Sequence, residues 1–232
     1  MELCIALDNP SQRQNLTLLE TLQALEDSQK SKIWLKIGLR SFIRDGVKGL
    51  EAIKKMGDYR IFLDLKIYDI PNTMLDALNE CYAIGVDMLT IHTSCGFEAM
   101  KAIAMLKAKH NDFPLVIGVS ALTSFDNEGF AEIYNANVFS HTIHLAKLAY
   151  NAGIDGVVCS VSESLAIKRA TDKRFLTITP GIRPFGESAN DQKRVATLQD
   201  AKLAQSDFIV IGRPIYKAEN PLQVVRQILS LI

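Results

Sequence analysis

The chain lacks an excess of charge of either sign, since 26 Lys and Arg balance 26 Asp and Glu. No net field draws it to nucleic acid or to an acidic membrane surface, so any anion site has to be built locally. Long apolar runs are missing too. No stretch reaches transmembrane length, and Met1 leads into a polar-interrupted strand and not into a signal peptide. Cysteine is scarce and scattered: Cys4, Cys81, Cys95 and Cys159 form no C-x-x-C pair. That spacing points to a reduced, cytoplasmic protein without disulfides or a structural zinc site. Nothing reads as a linker or low-complexity tract, so residues 1–232 are expected to form a single domain.

What the chain does have is apolar surface. Hydrophobic residues make up 48% of it, enough for a sizeable core and far from a disordered composition. Eight short apolar runs recur: Leu3–Leu7, Ile33–Ile37, Ile61–Leu65, Met88–Ile91, Leu115–Val119, Val157–Val161, Phe175–Ile178 and Phe208–Ile211. Most are β-branched or aromatic and too short for buried helices, which makes them strands. Helix-like stretches lie between them. Ile43, Val47, Leu50 and Ile53 form one apolar stripe; Leu222, Val225, Leu229 and Ile232 form another. The longest interval, Ser120 to Gly156, has room for a short extra helix before the main one at Val138–Tyr150. Strand–helix alternation repeated eight times predicts an α/β fold with a parallel sheet. The length suits a single-domain (β/α)8 TIM barrel, which takes about 250 residues. A doubly wound open sheet fits less well, because no G-x-G-x-x-G turn follows the first strand.

In such barrels the working residues sit at the C-terminal ends of the strands. Those ends carry Asp8, Lys36, Asp64, Lys66, His92, Thr123, Arg183 and Gly212-Arg213. The densest stretch is Asp64-Leu65-Lys66-Ile67-Tyr68-Asp69, with Ile70-Pro71-Asn72-Thr73 opening a helix behind it. Period-two alternation places Asp64 and Lys66 on one face of the strand, with Leu63 and Leu65 on the other. Lys36, inside an apolar run, has to pair or snorkel. The expected order is Lys36, Asp64, Lys66, Asp69, each charge flanked by opposites, an arrangement that holds an ammonium ready as a general acid. A salt-bridge network that only closes the barrel mouth is the bland counterpart. Asp8, before Asn9-Pro10, suits a turn as well as a ribose hydroxyl.

Thr179-Pro180-Gly181-Ile182-Arg183 and Ile211-Gly212-Arg213-Pro214 end the last two strands, where barrels commonly build a phosphate site. Gly212 lets backbone approach an anion, and Arg213 offers a planar donor fork. The breaker-rich stretch from Pro184 to Arg194 reads as a lid over a bound ligand, with Gln192 as its amide contact. His92 reads as a hydrogen-bonded core histidine. His141 and His144 read as a solvated pair, since no further ligand has a spacing suited to a metal. Tyr68 and Phe125 flank the proposed mouth.

Taken together, these residues resemble the orotidine 5′-phosphate decarboxylase family in its compact bacterial form. The matching pieces are Ala6-Leu7-Asp8, Lys36-Ile37-Gly38, Asp64 to Thr73, Leu122-Thr123-Ser124, Thr179 to Arg183, Asp191 to Arg194, and Ile211 to Ile215. They span nearly the whole chain in the expected order. The D-x-K-x-x-D-I-P-N-T stretch is the most specific, whereas the late Gly-Arg alone is weak. The resemblance implies decarboxylation of orotidine 5′-phosphate to uridine 5′-phosphate, with Lys66 as proton donor. It also implies Asp64 beside the substrate carboxylate, and Lys36 and Asp69 completing the array. Asp8 and Lys36 are implied for the ribose, Thr123 for the pyrimidine, and Arg183, Gln192, Gly212 and Arg213 for the phosphate. Asp69 and Thr73 are implied to reach into a second subunit of a homodimer. No metal and no organic cofactor are implied. Departures are small: Cys95 before Gly96, Asn190 where a glycine is frequent, and Leu198 where a proline is frequent.

Two rival readings remain at this level. Magnesium-dependent sugar-phosphate decarboxylases or aldolases of the same superfamily keep a similar D-x-K-x-x-D, but carry a glutamate at the second strand's end to hold the metal. Lys36 stands there in this chain and would repel it. A non-catalytic barrel binding a phosphate ligand is the other, although binding alone has no need of Lys66.

Overall fold

The computed structural model describes residues 1–186 and 194–232. Its eight strands are β1 (Glu2–Ala6), β2 (Ile33–Gly38), β3 (Arg60–Ile67), β4 (Met88–His92), β5 (Leu115–Val119), β6 (Gly156–Val158), β7 (Leu176–Thr179) and β8 (Phe208–Ile211). All neighbours pair in parallel in sequence order, and β8 pairs with β1, so the sheet closes into a barrel. The helices are α1 (Gln12–Leu22), α2 (Asp27–Lys30), α3 (Leu39–Lys54), α4 (Pro71–Ala83), α5 (Phe97–Lys107) and α6 (Asn127–Tyr134). They continue as α7 (Val138–Ala152), α8 (Val161–Ala170), α9 (Leu198–Leu203), α10 (Arg213–Tyr216) and α11 (Pro221–Leu231). The expected (β/α)8 TIM barrel is the fold observed. None of the helices among the described residues is long and apolar enough to cross a membrane.

Two apolar layers follow from strand alternation. Cys4, Ala6, Trp34, Phe62, Met88, Ile117, Ile178, Phe208 and Val210 fill the barrel, while the other strand face packs against the helices. Lys36, Asp64 and Thr90 each lie two residues beyond a lumen residue on the same strand, one layer higher toward the C-terminal ends. The lower end is sealed by Arg60, which stacks over Trp34 and pairs with Glu2 at 2.6 Å.

An internal repeat braces that lower end. Gly85-Val86-Asp87, Gly153-Ile154-Asp155 and Gln205-Ser206-Asp207 precede β4, β6 and β8, each opening on a left-handed residue. Each Asp carboxylate accepts a backbone N–H of the preceding strand, from Ile61, Val116 and Thr177, at 2.7 Å in all three cases. The carbonyl of each Asp accepts an N–H from the next strand, at Leu115, Leu176 or Glu2. One residue thus ties three strands, which satisfies donors that the ladder leaves open at its start.

Two expectations change. The sixth strand ends at Val158 and not at Val161, because Ser160 and Glu163 form a capping box that starts α8 at Val161. The stripe on α3 is split: Leu50 and Ile53 are buried, but Ile43 is 78% and Val47 42% exposed. Gly46, at φ +57°, interrupts the helix between Ile43 and Val47; in the first half it is Ser41 that is buried, donating to the Leu7 carbonyl at 2.6 Å.

Candidate active site

At the C-terminal end of the barrel the strands open into a cavity of about 390 Å³. Its floor is the top of the lumen core, including Ala6, Phe62, Val158, Ile178 and Val210. Asp8, Lys36, Asp64, Lys66, Thr123, Arg183, Gly212 and Arg213 all line it. The structure also adds Ser124 and Tyr216 to the wall.

Four of these side chains form a chain of alternating charge. Lys36 Nζ lies 3.4 Å from Asp8 Oδ2 and 3.5 Å from Asp64 Oδ2, and Lys66 Nζ lies 2.8 Å from Asp64 Oδ1. The order within one chain is Asp8–Lys36–Asp64–Lys66. Asp8 thus extends the expected array at its Lys36 end. Asp69 is exposed and accepts the N–H of Ile70, and Thr73 is exposed on α4. Neither lines this chain's cavity.

Burial disfavours both inner charges, yet each is outweighed by its neighbours. Asp64 and Asp8 hold the Lys36 ammonium above its ordinary value. Lys36, Lys66 and the hydrogen bonds from Lys66 and Thr90 hold the Asp64 carboxyl below its own. Gly38 keeps space for this pairing, since a Cβ there would stand 3.1 Å from Lys36 Nζ and 3.3 Å from Asp8 Oδ1.

β3 is bulged where it carries the array. Leu63 pairs with Leu89 and Ile67 with Ile91, so three residues, Asp64 to Lys66, stand opposite Thr90 alone. Lys66 takes φ +54°, a left-handed conformation that costs a side-chain-bearing residue energy. Asp64 and Lys66 still face the cavity, and Leu63 and Leu65 still pack toward the helices. Thr90, fully buried, was not singled out by sequence; its only signal is a polar residue at a lumen position of an apolar strand.

Arg183 is buried, and Arg213 opens α10. The segment after β7 returns to the barrel at a parallel bridge between Ile182 and Ala196. Arg194 then pairs with the buried Glu163 carboxylate and donates to the Leu122 carbonyl at 3.1 Å, beside Thr123. Gln192, Asn190 and most of the expected lid lie outside the described residues. Leu198 begins α9 behind a Thr197–Asp200 capping box and is buried.

His92 is not a core residue. It stands half-buried at the end of β4, stacks on Tyr68 at 5.6 Å, and accepts the Ser94 N–H at Nδ1. Burial and the Lys66 charge lower its pKa. Tyr68 is 61% exposed and Phe125 packs on Phe130, and neither lines the cavity. His141 and His144 neighbour each other on α7. Among the described residues no group of three or more His, Cys, Asp or Glu could hold a metal ion. All four cysteines are free; burial pushes the Cys81 and Cys95 thiols up to about 11.

A closed eight-stranded barrel with an acid–base array and two arginines converging on one cavity at its C-terminal mouth defines a (β/α)8-barrel enzyme site. The chain belongs to the orotidine 5′-phosphate decarboxylase / HUMPS family, whose sequence model matches residues 1–228. It is 54% identical over 231 residues to the orotidine 5′-phosphate decarboxylase of Wolinella succinogenes, covering 99% of each chain. It is 53% identical over 231 residues to that of Nitratiruptor sp., again covering 99% of each. Among solved structures, the orotidine 5′-phosphate decarboxylase of Lactobacillus acidophilus superposes with a TM-score of 0.82 at 29% identity, covering 99% of this chain and 98% of the other.

Proposed function

We propose that the chain decarboxylates orotidine 5′-phosphate to uridine 5′-phosphate and carbon dioxide, the last step of de novo pyrimidine nucleotide synthesis. The observation that carries this reading is the Asp8–Lys36–Asp64–Lys66 chain of charges at the mouth of a cavity that also receives Arg183 and Arg213. Full-length relatives of that name at 50–54% identity support it.

Breaking the bond between C6 of the pyrimidine and its carboxylate leaves the electron pair on C6, with no adjacent carbonyl arranged to delocalise it. An ammonium held beside C6 stabilises that pair and then delivers its proton to it. Lys66 takes this part, fixed by Asp64, and regains its proton from solvent. Asp64 stands near the departing carboxylate and raises the ground state. One charge pair about 4 Å apart is worth roughly 4 kcal/mol at an effective dielectric of 20, while a difficult reaction needs roughly 20 kcal/mol of acceleration. The larger part therefore comes from the preorganised cation and from phosphate binding expressed in the transition state. Arg183, Gln192, Gly212 and Arg213 are assigned to that phosphate, Thr123 to the pyrimidine, and Asp8 and Lys36 to the ribose.

The reading includes a cytoplasmic homodimer in which Asp69 and Thr73 complete the partner's site. Its support is that Asp69 is exposed between Tyr68 and Ile70, themselves 61% and 67% exposed. It includes no metal, because the cation between Asp8 and Asp64 is the chain's own Lys36. Purified protein should therefore consume orotidine 5′-phosphate, followed by loss of its absorbance, in excess EDTA. Strict dependence on magnesium would favour the sugar-phosphate relatives, and binding without turnover would favour a silent barrel.

A further inference from the structure

We infer that Thr90 is a positioning residue for the reaction, holding the strained backbone of Lys66 and the carboxylate of Asp64 through one hydroxyl. This rests on the decarboxylase reading above and adds to it a residue outside the lining of the cavity. The Thr90 side chain donates to Asp64 Oδ1 at 3.0 Å and accepts the backbone N–H of Lys66 at 2.9 Å. The direction of both bonds is fixed by chemistry. An N–H can only donate and an ionised carboxylate can only accept, so the hydroxyl's single proton goes to Asp64 and a lone pair to Lys66. Asp64 Oδ1 also accepts from Lys66 Nζ at 2.8 Å, which closes a ring: Lys66 N–H to Thr90, Thr90 to Asp64, Asp64 back to the Lys66 ammonium.

The ring explains how the bulge persists. The ladder between β3 and β4 is interrupted from Asp64 to Lys66, so the Lys66 N–H takes a side-chain acceptor in place of a strand partner. Lys66 is held at φ +54°, a conformation that must be over-determined by its surroundings to survive. Thr90 is fully buried and its χ1 is restricted by β-branching, so its oxygen is a fixed point between main chain and carboxylate. The same hydroxyl helps keep Asp64 ionised. Losing it would loosen the general acid and its partner together.

The test compares Thr90→Val, which keeps the shape and removes the hydroxyl, with Thr90→Ser, which keeps the hydroxyl. Thr90→Ala removes the hydroxyl without setting a methyl group against Asp64, and serves if the Val chain fails to fold. With orotidine 5′-phosphate as substrate, the variant lacking the hydroxyl should lose about 10²-fold in kcat, the scale of an ångström of misplacement, with KM changed less than about threefold. The acid limb of its kcat/KM profile should move to higher pH, as Asp64 loses a donor that favours its charge. Thr90→Ser should recover most of kcat. A hydroxyl-free variant that folds and keeps wild-type kcat overturns the proposal, as does a Ser variant as impaired as Val or Ala. Wild-type protein that never turns over the substrate overturns the decarboxylase reading instead, so the two failures are separable.

Discussion

Lys66 pairs with Asp64, two residues earlier on the same strand, at 2.8 Å, and does so across a bulge that gives Lys66 a left-handed backbone. The ion pair is therefore a property of an irregular strand end, which aims both charges into the cavity above Phe62 and Val210. Low polarity around such a pair strengthens it, and also makes each partner costly to leave alone.

Removing that ammonium should be decisive. Lys66→Ala takes away the proposed proton donor and the cation nearest Asp64. Turnover of orotidine 5′-phosphate should fall by at least about 10⁴-fold while the circular dichroism spectrum stays that of a folded barrel. Activity within tenfold of wild type would remove Lys66 from the mechanism.

Arg213→Ala separates phosphate binding from chemistry. Charge-assisted contacts of this kind are worth about 1.5–3 kcal/mol, so kcat/KM on the phosphorylated nucleotide should fall by roughly 10–100-fold. The low turnover of the unphosphorylated nucleoside should barely change. Equal losses on both substrates would assign Arg213 a structural part.

The shared site can be tested by complementation. A Lys66→Ala chain mixed with an Asp69→Ala chain gives mixed dimers with one doubly defective site and one intact site. After subunit exchange, verified with differently tagged chains, activity should rise to about one quarter of wild type per chain, since half the dimers are mixed. Activity that stays flat after verified exchange returns Asp69 to its own barrel.

The inner pair should contribute to the pH dependence of stability at both extremes. Asp64 is held below its ordinary 3.8, so its contribution is complete above 3.8 and is lost as pH falls through the lower folded value. Lys36 is held above its ordinary 10.5, so its contribution is complete below 10.5 and is lost as pH rises through the higher folded value. The difference in thermal midpoint between wild type and a Lys36→Met, Asp64→Asn double variant should be flat between those limits and turn against the wild type outside them. A steady slope through the neutral range would show that other groups dominate.

At the lower end, Gln205 occupies the left-handed position that glycines fill at 85 and 153, at φ +56°. Such a conformation costs a residue with a side chain about 1–2 kcal/mol, part of which glycine gives back through the freedom of the unfolded chain. Gln205→Gly should raise stability by about 1 kcal/mol and the thermal midpoint by about 2–4 °C, with activity unchanged. A lowered midpoint would mean that the Gln205 side chain contributes more than its backbone costs.

The sequence by itself determined the barrel and the cast of its cavity. Eight apolar runs with helical stripes between them leave few topologies, and polar residues at the strand ends mark the working face. Lys36, Asp64 and Lys66 were legible because period two fixes which face a strand residue takes, and Asp8, Thr123, Arg183, Gly212 and Arg213 because they follow strand ends at the working face. Tertiary structure decided who touches whom. Asp8 joined the array beside Lys36 because β1 lies beside β2, while Asp69 stands exposed in the turn after β3. The bulge and its Thr90 brace arise from the offset between two neighbouring strands, which neither strand encodes alone. Ile43 stands outside the core, ahead of the break that Gly46 makes in α3. Local patterning sets faces and periods; register, bulges and cross-strand partners depend on residues brought together only when the barrel closes.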